Sequence, residues 1–252
     1  MRRSTSSRQL ADQAVRELKA AADPRIAAGS RAYFKAYEDV EFFGLKTAPV
    51  RQIERKLFLQ IRGEWRIDEA ISFCEILIKR RELEAKNTGI LLLSRYKKSF
   101  DKNLWAKVEG WLNSNYCSDW ASTDSLASTI IARLVEQNPQ LIIKLKSWTK
   151  RKNLWLRRAA AVAMTPSARH GKNLEDAYEI AESLFIYPED LIHKAAGWLL
   201  REAGKTNPKH LEDFLLARGP HIPRTTLRYA IERFSPAKRR MLLAATRAAS
   251  NK

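Results

Sequence analysis

At Asp23-Pro24, Asn138-Pro139, Asn207-Pro208 and Ser235-Pro236 a residue able to cap a helix stands directly before a proline. The capping oxygen accepts a free amide of the first turn, and proline at the first helical position forfeits no helical hydrogen bond. Each pair therefore marks where a helix begins. Thr47-Ala48-Pro49 and Tyr187-Pro188-Glu189-Asp190 read as further starts, the latter with acids suited to a positive helix N-terminus. Between such starts the apolar residues recur at helical spacing: in Asp68–Lys79, Ile71, Cys74, Leu77 and Ile78 share one face. Alternating apolar and polar runs are scarce, and no Asn-Gly or Asp-Gly hairpin signal occurs. The expectation is an all-α protein of about a dozen helices of ordinary length joined by short connections. Consecutive antiparallel helices of this kind form a bundle or a solenoid. No Gly/Ser-rich linker divides the chain, so one domain over residues 1–252 is expected, with frayed ends at 1–7 and 247–252.

Charge says more about partners than about fold. The 46 Lys and Arg against 28 Asp and Glu leave a formal net charge of +18. Such a surface attracts polyanions, nucleic acid first and anionic membrane second. Cys74 and Cys117 match no metal-ligand spacing, and His170, His193, His210 and His221 do not fall four apart on one helix face. No bound metal is expected. The basic start Met1-Arg2-Arg3 leads into an amphipathic stretch and not an apolar signal core. No run approaches the roughly 20 apolar residues of a membrane span. A cytoplasmic, soluble protein without membrane contact is the expectation.

Three segments concentrate charge and aromatic rings. From Lys144 to Arg158 stand Lys144, Lys146, Lys150, Arg151, Lys152, Arg157 and Arg158 with no acid, interrupted by Trp148 and Trp155. Such a run suits phosphate contacts, although a solvated face is its ordinary meaning. In Tyr116–Ala127, Ser118 or Asp119 can cap a helix running through Val135, which puts Trp120 and Asp124 one turn apart on one face. A ring beside a carboxylate stabilises a cation, yet a core tryptophan beside a surface acid is the commoner case. In Ile192–Glu202, Lys194, Trp198 and Arg201 share a face. Gly197 inside that helical pattern costs roughly 1 kcal/mol against alanine, which points to close approach of another helix or a ligand backbone.

In order along the chain, Asp119-Trp120-Ala121-Ser122-Thr123-Asp124, Asn153–Ala160 and Lys194–Glu202 resemble the motifs of AlkD-type DNA alkylation repair glycosylases. Tyr33-Phe34-Lys35 and Phe43-Gly44-Leu45-Lys46-Thr47 look like that family's N-terminal segment, and the resemblance spans roughly residues 10–235. It implies a curved right-handed solenoid of HEAT-like antiparallel helix pairs. It implies a DNA glycosylase that excises alkylated, positively charged purines of the 3-methyladenine and 7-methylguanine type from double-stranded DNA as a monomer. It also implies chemistry without metal or cofactor. Carried over by position, the catalytic residues are Asp124, Trp120 and Trp198. Arg158 supports the DNA backbone, and Arg201 and Lys194 are further DNA contacts. Tyr33 and Lys46 lie near the opposite strand, and Thr47 is a further DNA contact. The family leaves the lesion in the helix, where most glycosylases extrude the base. Two departures fall in the N-terminal segment: Lys46 stands where relatives tend to have Gln, and about two extra residues separate Tyr33 from Gly44.

Two other classes of function share the fold expectation. A non-catalytic HEAT-like nucleic-acid-binding protein would use the same basic face, since fold alone does not fix function. Against it stands Asp124, an acid that weakens phosphate binding and makes sense mainly for chemistry. A protein-interaction scaffold, a common use of helical solenoids, would bind an acidic protein and show no more than generic affinity for duplex DNA.

Overall fold

The computed structural model describes residues 5–247. Every regular element among them is helical, as the periodicity requires; one isolated bridge joins Glu41 and Glu82. In chain order the α-helices are α1 (Ser7–Ala20), α2 (Pro24–Arg31), α3 (Thr47–Ile61), α4 (Ile67–Ile78), α5 (Leu83–Ser94), α6 (Lys102–Asn113), α7 (Trp120–Leu126) and α8 (Ala132–Gln137). There follow α9 (Ile142–Trp148), α10 (Leu154–Arg169), α11 (Leu174–Ser183), α12 (Asp190–Ala203), α13 (Pro208–Arg218), α14 (Arg224–Ala230) and α15 (Pro236–Ala245). The chain groups into two compact units, residues 1–134 and 135–252.

The capping pairs act as their chemistry dictates at three of the four sites. Asp23 accepts the amide of Arg25 at 2.8 Å, Asn207 that of His210 at 3.0 Å, and Ser235 that of Lys238 at 3.3 Å. Asn138 makes no side-chain cap, and Pro139 opens a short 3₁₀ turn before α9 instead of an α-helix. Of the termini expected to fray, residues 1–4 and 248–252 lie outside the described residues. Ser6 and Ser7 are part of the fold: Ser6 forms a capping box with Gln9, and Ser7 opens α1.

In the first unit, α4 and α5 pack closely, and α1 and α3 close over them around Leu10, Leu18, Leu57, Ile61, Phe73, Leu77, Ile90 and Leu93. A Cβ at Gly89 would stand 3.1 Å from Leu77 Cβ, so glycine sets how near α5 comes to α4. Most of α5 is buried, which puts Glu84 and Lys86 in the interior and obliges both to find partners. In the second unit, α12 packs between α10, α11 and α14. Its buried stripe is Leu191, Ile192, Ala195, Ala196, Leu199, Leu200 and Ala203. At Gly197 a Cβ would meet Tyr229 Cβ at 2.5 Å and the Thr226 carbonyl oxygen at 2.6 Å. The close approach expected at Gly197 is therefore that of α14.

Candidate functional site

The residues singled out in the sequence fall in both units, and each group has its own setting. In the first unit the centre is the start of α7. Asp119 is its cap, fully buried, accepting the Ser122 amide at 2.7 Å and the Ser122 hydroxyl at 2.5 Å. The same carboxylate pairs with Lys86 Nζ of α5 at 3.3 Å, and both side chains are out of solvent. A second carboxylate reaches the same helix end. Glu38, 2% exposed, accepts the Trp120 amide at 2.8 Å and the Lys35 amide at 2.7 Å. Two acids at the N-terminus of a seven-residue helix match its dipole and hold it in place.

Held in this way, α7 presents Trp120 and Asp124 one turn apart, both half-buried. The Trp120 indole stacks on Phe34, with ring centroids 5.2 Å apart and planes 19° from parallel, and Phe34 leans on Phe42 at 5.1 Å. The turn after Asp124 widens into a π-helix over Ala127–Ile131. Ser128 and Thr129 donate to the carbonyls of Asp124 and Ser125 at 2.7 and 2.5 Å, the back-bonding by which such residues bend helices. The helical run thus continues past Val135, as expected, but not as a uniform α-helix.

Trp120 is one wall of a cleft of about 440 Å³ whose other walls include Tyr33, Phe42, Thr47, Asn87 and Ser125. Tyr33 is 80% exposed on it, and Lys46 and Thr47 are exposed at the start of α3. Glu84 of α5 fixes the segment leading to α3. Its carboxylate accepts the amides of Phe43 at 3.0 Å, Gly44 at 2.8 Å and Leu45 at 3.0 Å. Gly44 has φ +90°, and a Cβ there would stand 2.0 Å from the Asp23 carbonyl oxygen, so no other residue fits. The structure therefore brings Tyr33, Thr47 and Trp120 to one cleft. Asn87 Oδ1 is buried in its wall without a hydrogen-bond partner. The cysteines take no part: Cys74 and Cys117 are buried, and burial pushes the Cys117 thiol up to about 12 and that of Cys74 well above its ordinary range.

In the second unit, Arg158 of α10 is 5% exposed and donates from Nη1 to the Leu191 carbonyl at the start of α12 at 2.5 Å. Trp198 is half-buried on α12. Lys194, one turn before it, pairs with Asp190 at 2.8 Å, and that bond raises its pKa against the opposing effect of burial. Arg201 forms an ion pair with Glu232. The basic run from Lys144 to Arg158 divides by burial. Trp148 and Trp155 are core residues and do not present rings to a ligand, since α9 and α10 turn them inward. Arg157 is also buried, paired with Glu189 at 2.5 Å and lying 4.0 Å from the Tyr187 ring centroid. Lys146 is held by Asp176 at 2.8 Å and Glu179 at 2.5 Å. Lys144, Lys150, Arg151 and Lys152 remain exposed.

Glu38, Glu84 and Asn87 carry no signal in the sequence. Glu38 acts on Trp120 across 82 positions, and nothing near either residue foreshadows the bond. The widened turn after Asp124 had a local signal in Ser125, Ser128 and Thr129, which lie near one another on the helix.

Likeness to known proteins agrees with these features. No curated protein matches the chain. A solved structure, "Predicted DNA alkylation repair enzyme from Enterococcus faecalis", is similar at TM-score 0.72 and 18% identity, over 85% of this chain and 97% of that one. At that identity the likeness is one of fold. The model of the family described as "DNA alkylation repair enzyme" matches residues 14–234, and the chain belongs to that family.

Proposed function

We propose that this protein is a DNA glycosylase that releases alkylated, positively charged purines of the 3-methyladenine and 7-methylguanine type from duplex DNA. The observation that supports it most is α7, where a ring and a carboxylate stand one turn apart on a helix tied down by Glu38, Asp119 and Lys86. Family membership adds the substrate context.

Alkylation at N3 or N7 places a positive charge on the purine, so the base leaves without a proton from a general acid. The bond from C1′ to the base nitrogen breaks, and its electron pair neutralises the base. Positive charge then develops on the deoxyribose as an oxocarbenium ion. Asp124 stabilises this charge and orients a water for attack at C1′, and the water's proton passes to solvent as the abasic sugar forms. The indole faces of Trp120 and Trp198 favour the cationic sugar through their negative π-density. The assignment of Trp198 rests on the motif resemblance, as do those of Arg158 and Arg201 to the backbone of the lesion-bearing strand, of Tyr33 and Lys46 to its complement, and of Lys194 and Thr47 to DNA contacts. For Lys194 and Arg201, DNA binding exchanges the Asp190 and Glu232 carboxylates for phosphate. The Lys194 pair is partly exposed, and pairs of that kind are worth about 0–1 kcal/mol, so its exchange is inexpensive.

The test is to incubate methylated duplex DNA with the protein, with and without EDTA, and identify the free bases by chromatography. Free 7-methylguanine and 3-methyladenine, released equally in EDTA, are expected. Tight binding to the same DNA with no base released would make the protein a nucleic-acid binder.

A further inference from the structure

A depression of about 380 Å³ in the second unit is lined by Arg228, Ile231, Pro236, Arg239, Arg240 and Leu243, drawn from α14, its C-cap and α15. No carboxylate lines it. None of the three arginine side chains makes a hydrogen bond or ion pair among the described residues. Elsewhere Arg80, Arg81, Arg95, Arg157, Arg169, Arg201 and Arg218 each hold a carboxylate. Two more arginines stand close by. Arg224 has its pKa lowered by burial, and by the charges of Arg247 and Arg228. Like charges left this near one another, without acids between them, cost stability in the free protein. Pro236, the first residue of α15, is part of the lining, so the positive end of that helix opens onto the same depression.

We infer that this arginine cradle binds the phosphate backbone of duplex DNA, as an anchor separate from the residues proposed for the reaction. Guanidinium groups take phosphate oxygens in pairs of parallel hydrogen bonds, and Ile231 and Leu243 line the depression between them. Phosphate contacts of this kind fix where a protein sits on DNA and carry no sequence information. DNA is the occupant because the chain belongs to a DNA repair family and carries a net charge of +18. The family match covers residues 14–234, and α15 begins at Pro236.

The test needs no damaged base and so stands apart from the proposed chemistry. Binding of an undamaged duplex oligonucleotide is measured over a range of NaCl concentrations for the full chain and for Arg228→Gln/Arg239→Gln/Arg240→Gln. The slope of log K against log salt should fall by roughly 0.9 for each phosphate that is no longer neutralised, about 1–3 in all, with weaker binding at every salt concentration. A control removes equal charge at the exposed residues Lys19, Arg62 and Lys102 by substitution with Gln. It separates a built site from the general field, and circular-dichroism melts verify that both variants fold. Wild-type slope and affinity in the cradle variant would overturn the inference, and so would an equal weakening in the control. Unchanged DNA binding with abolished adsorption to phosphatidylglycerol vesicles would overturn it in favour of a membrane surface.

Discussion

Gly197 shows how much one residue can reveal before any coordinates are known. A glycine inside a helical pattern is unfavourable, and here the loss is offset by close packing: α14 comes so near that a methyl group would overlap Tyr229 and the Thr226 backbone. Because the obstruction includes backbone, Gly197→Ala should destabilise the protein by about 1–3 kcal/mol, read as a lower calorimetric Tm. An unchanged Tm would mean that α14 yields easily. Trp120 and Asp124 were likewise legible, because a helical spacing of four is a local property. Glu38 was not. A carboxylate that serves a helix 82 positions away looks in sequence like any other surface acid, and only the tertiary fold gives it a partner.

At the scale of elements, α5 organises the first unit's share of the candidate site. Its Glu84 binds three successive amides ahead of α3, and its Lys86 meets the cap of α7. The charge on Lys86 is tolerable in the interior only because Asp119 answers it. Asp119→Ala removes that partner and a helix cap together, and should cost about 3–5 kcal/mol in chemical denaturation. Adding Lys86→Met should recover a large part of the loss, since the stranded charge is then gone; a double variant no better than the single would contradict the pairing. A cap before proline marked a helix start at Asp23, Asn207 and Ser235, because both effects act within one turn, whereas Thr165-Pro166 lies inside α10. Asn138-Pro139 departs from this, opening a 3₁₀ turn with no side-chain cap. The π-turn after Asp124 depends on hydroxyls choosing backbone carbonyls over solvent, a choice set by how deeply the helix is buried.

For the molecule as a whole, the apolar period settled the all-α class, and the charge balance pointed to a polyanion. The division of the basic run at Lys144–Arg158 into core, paired and exposed residues was not legible. Burial is a tertiary property, and a tryptophan between lysines reads equally as a stacking platform or a core residue. The charge network also predicts how stability depends on pH. Burial would push Glu202 upward, but its bonds to Lys205 and Arg169 outweigh burial and hold it below the ordinary carboxylate value; Glu82 with Arg80, and Glu17 with Gln13 and Lys56, behave alike. A folded pKa below the unfolded one means that the unfolded chain takes up protons first on acidification. The stabilisation is complete above the unfolded value and is lost as pH falls through the folded ones. Urea midpoints should therefore hold from pH 7 to about 5 and decline below the ordinary carboxylate range. Glu202→Gln should make that decline shallower.

The central claim is that Asp124 carries the chemistry while other residues hold the DNA. It is tested most directly by single-turnover excision from a duplex with one 7-methylguanine, comparing the wild type with Asp124→Asn at saturating protein. The account predicts that the substitution lowers the excision rate by at least about a hundredfold, the scale on which a charge-stabilising group acts, while affinity for the duplex is kept or improved. Excision at the wild-type rate by Asp124→Asn would contradict it.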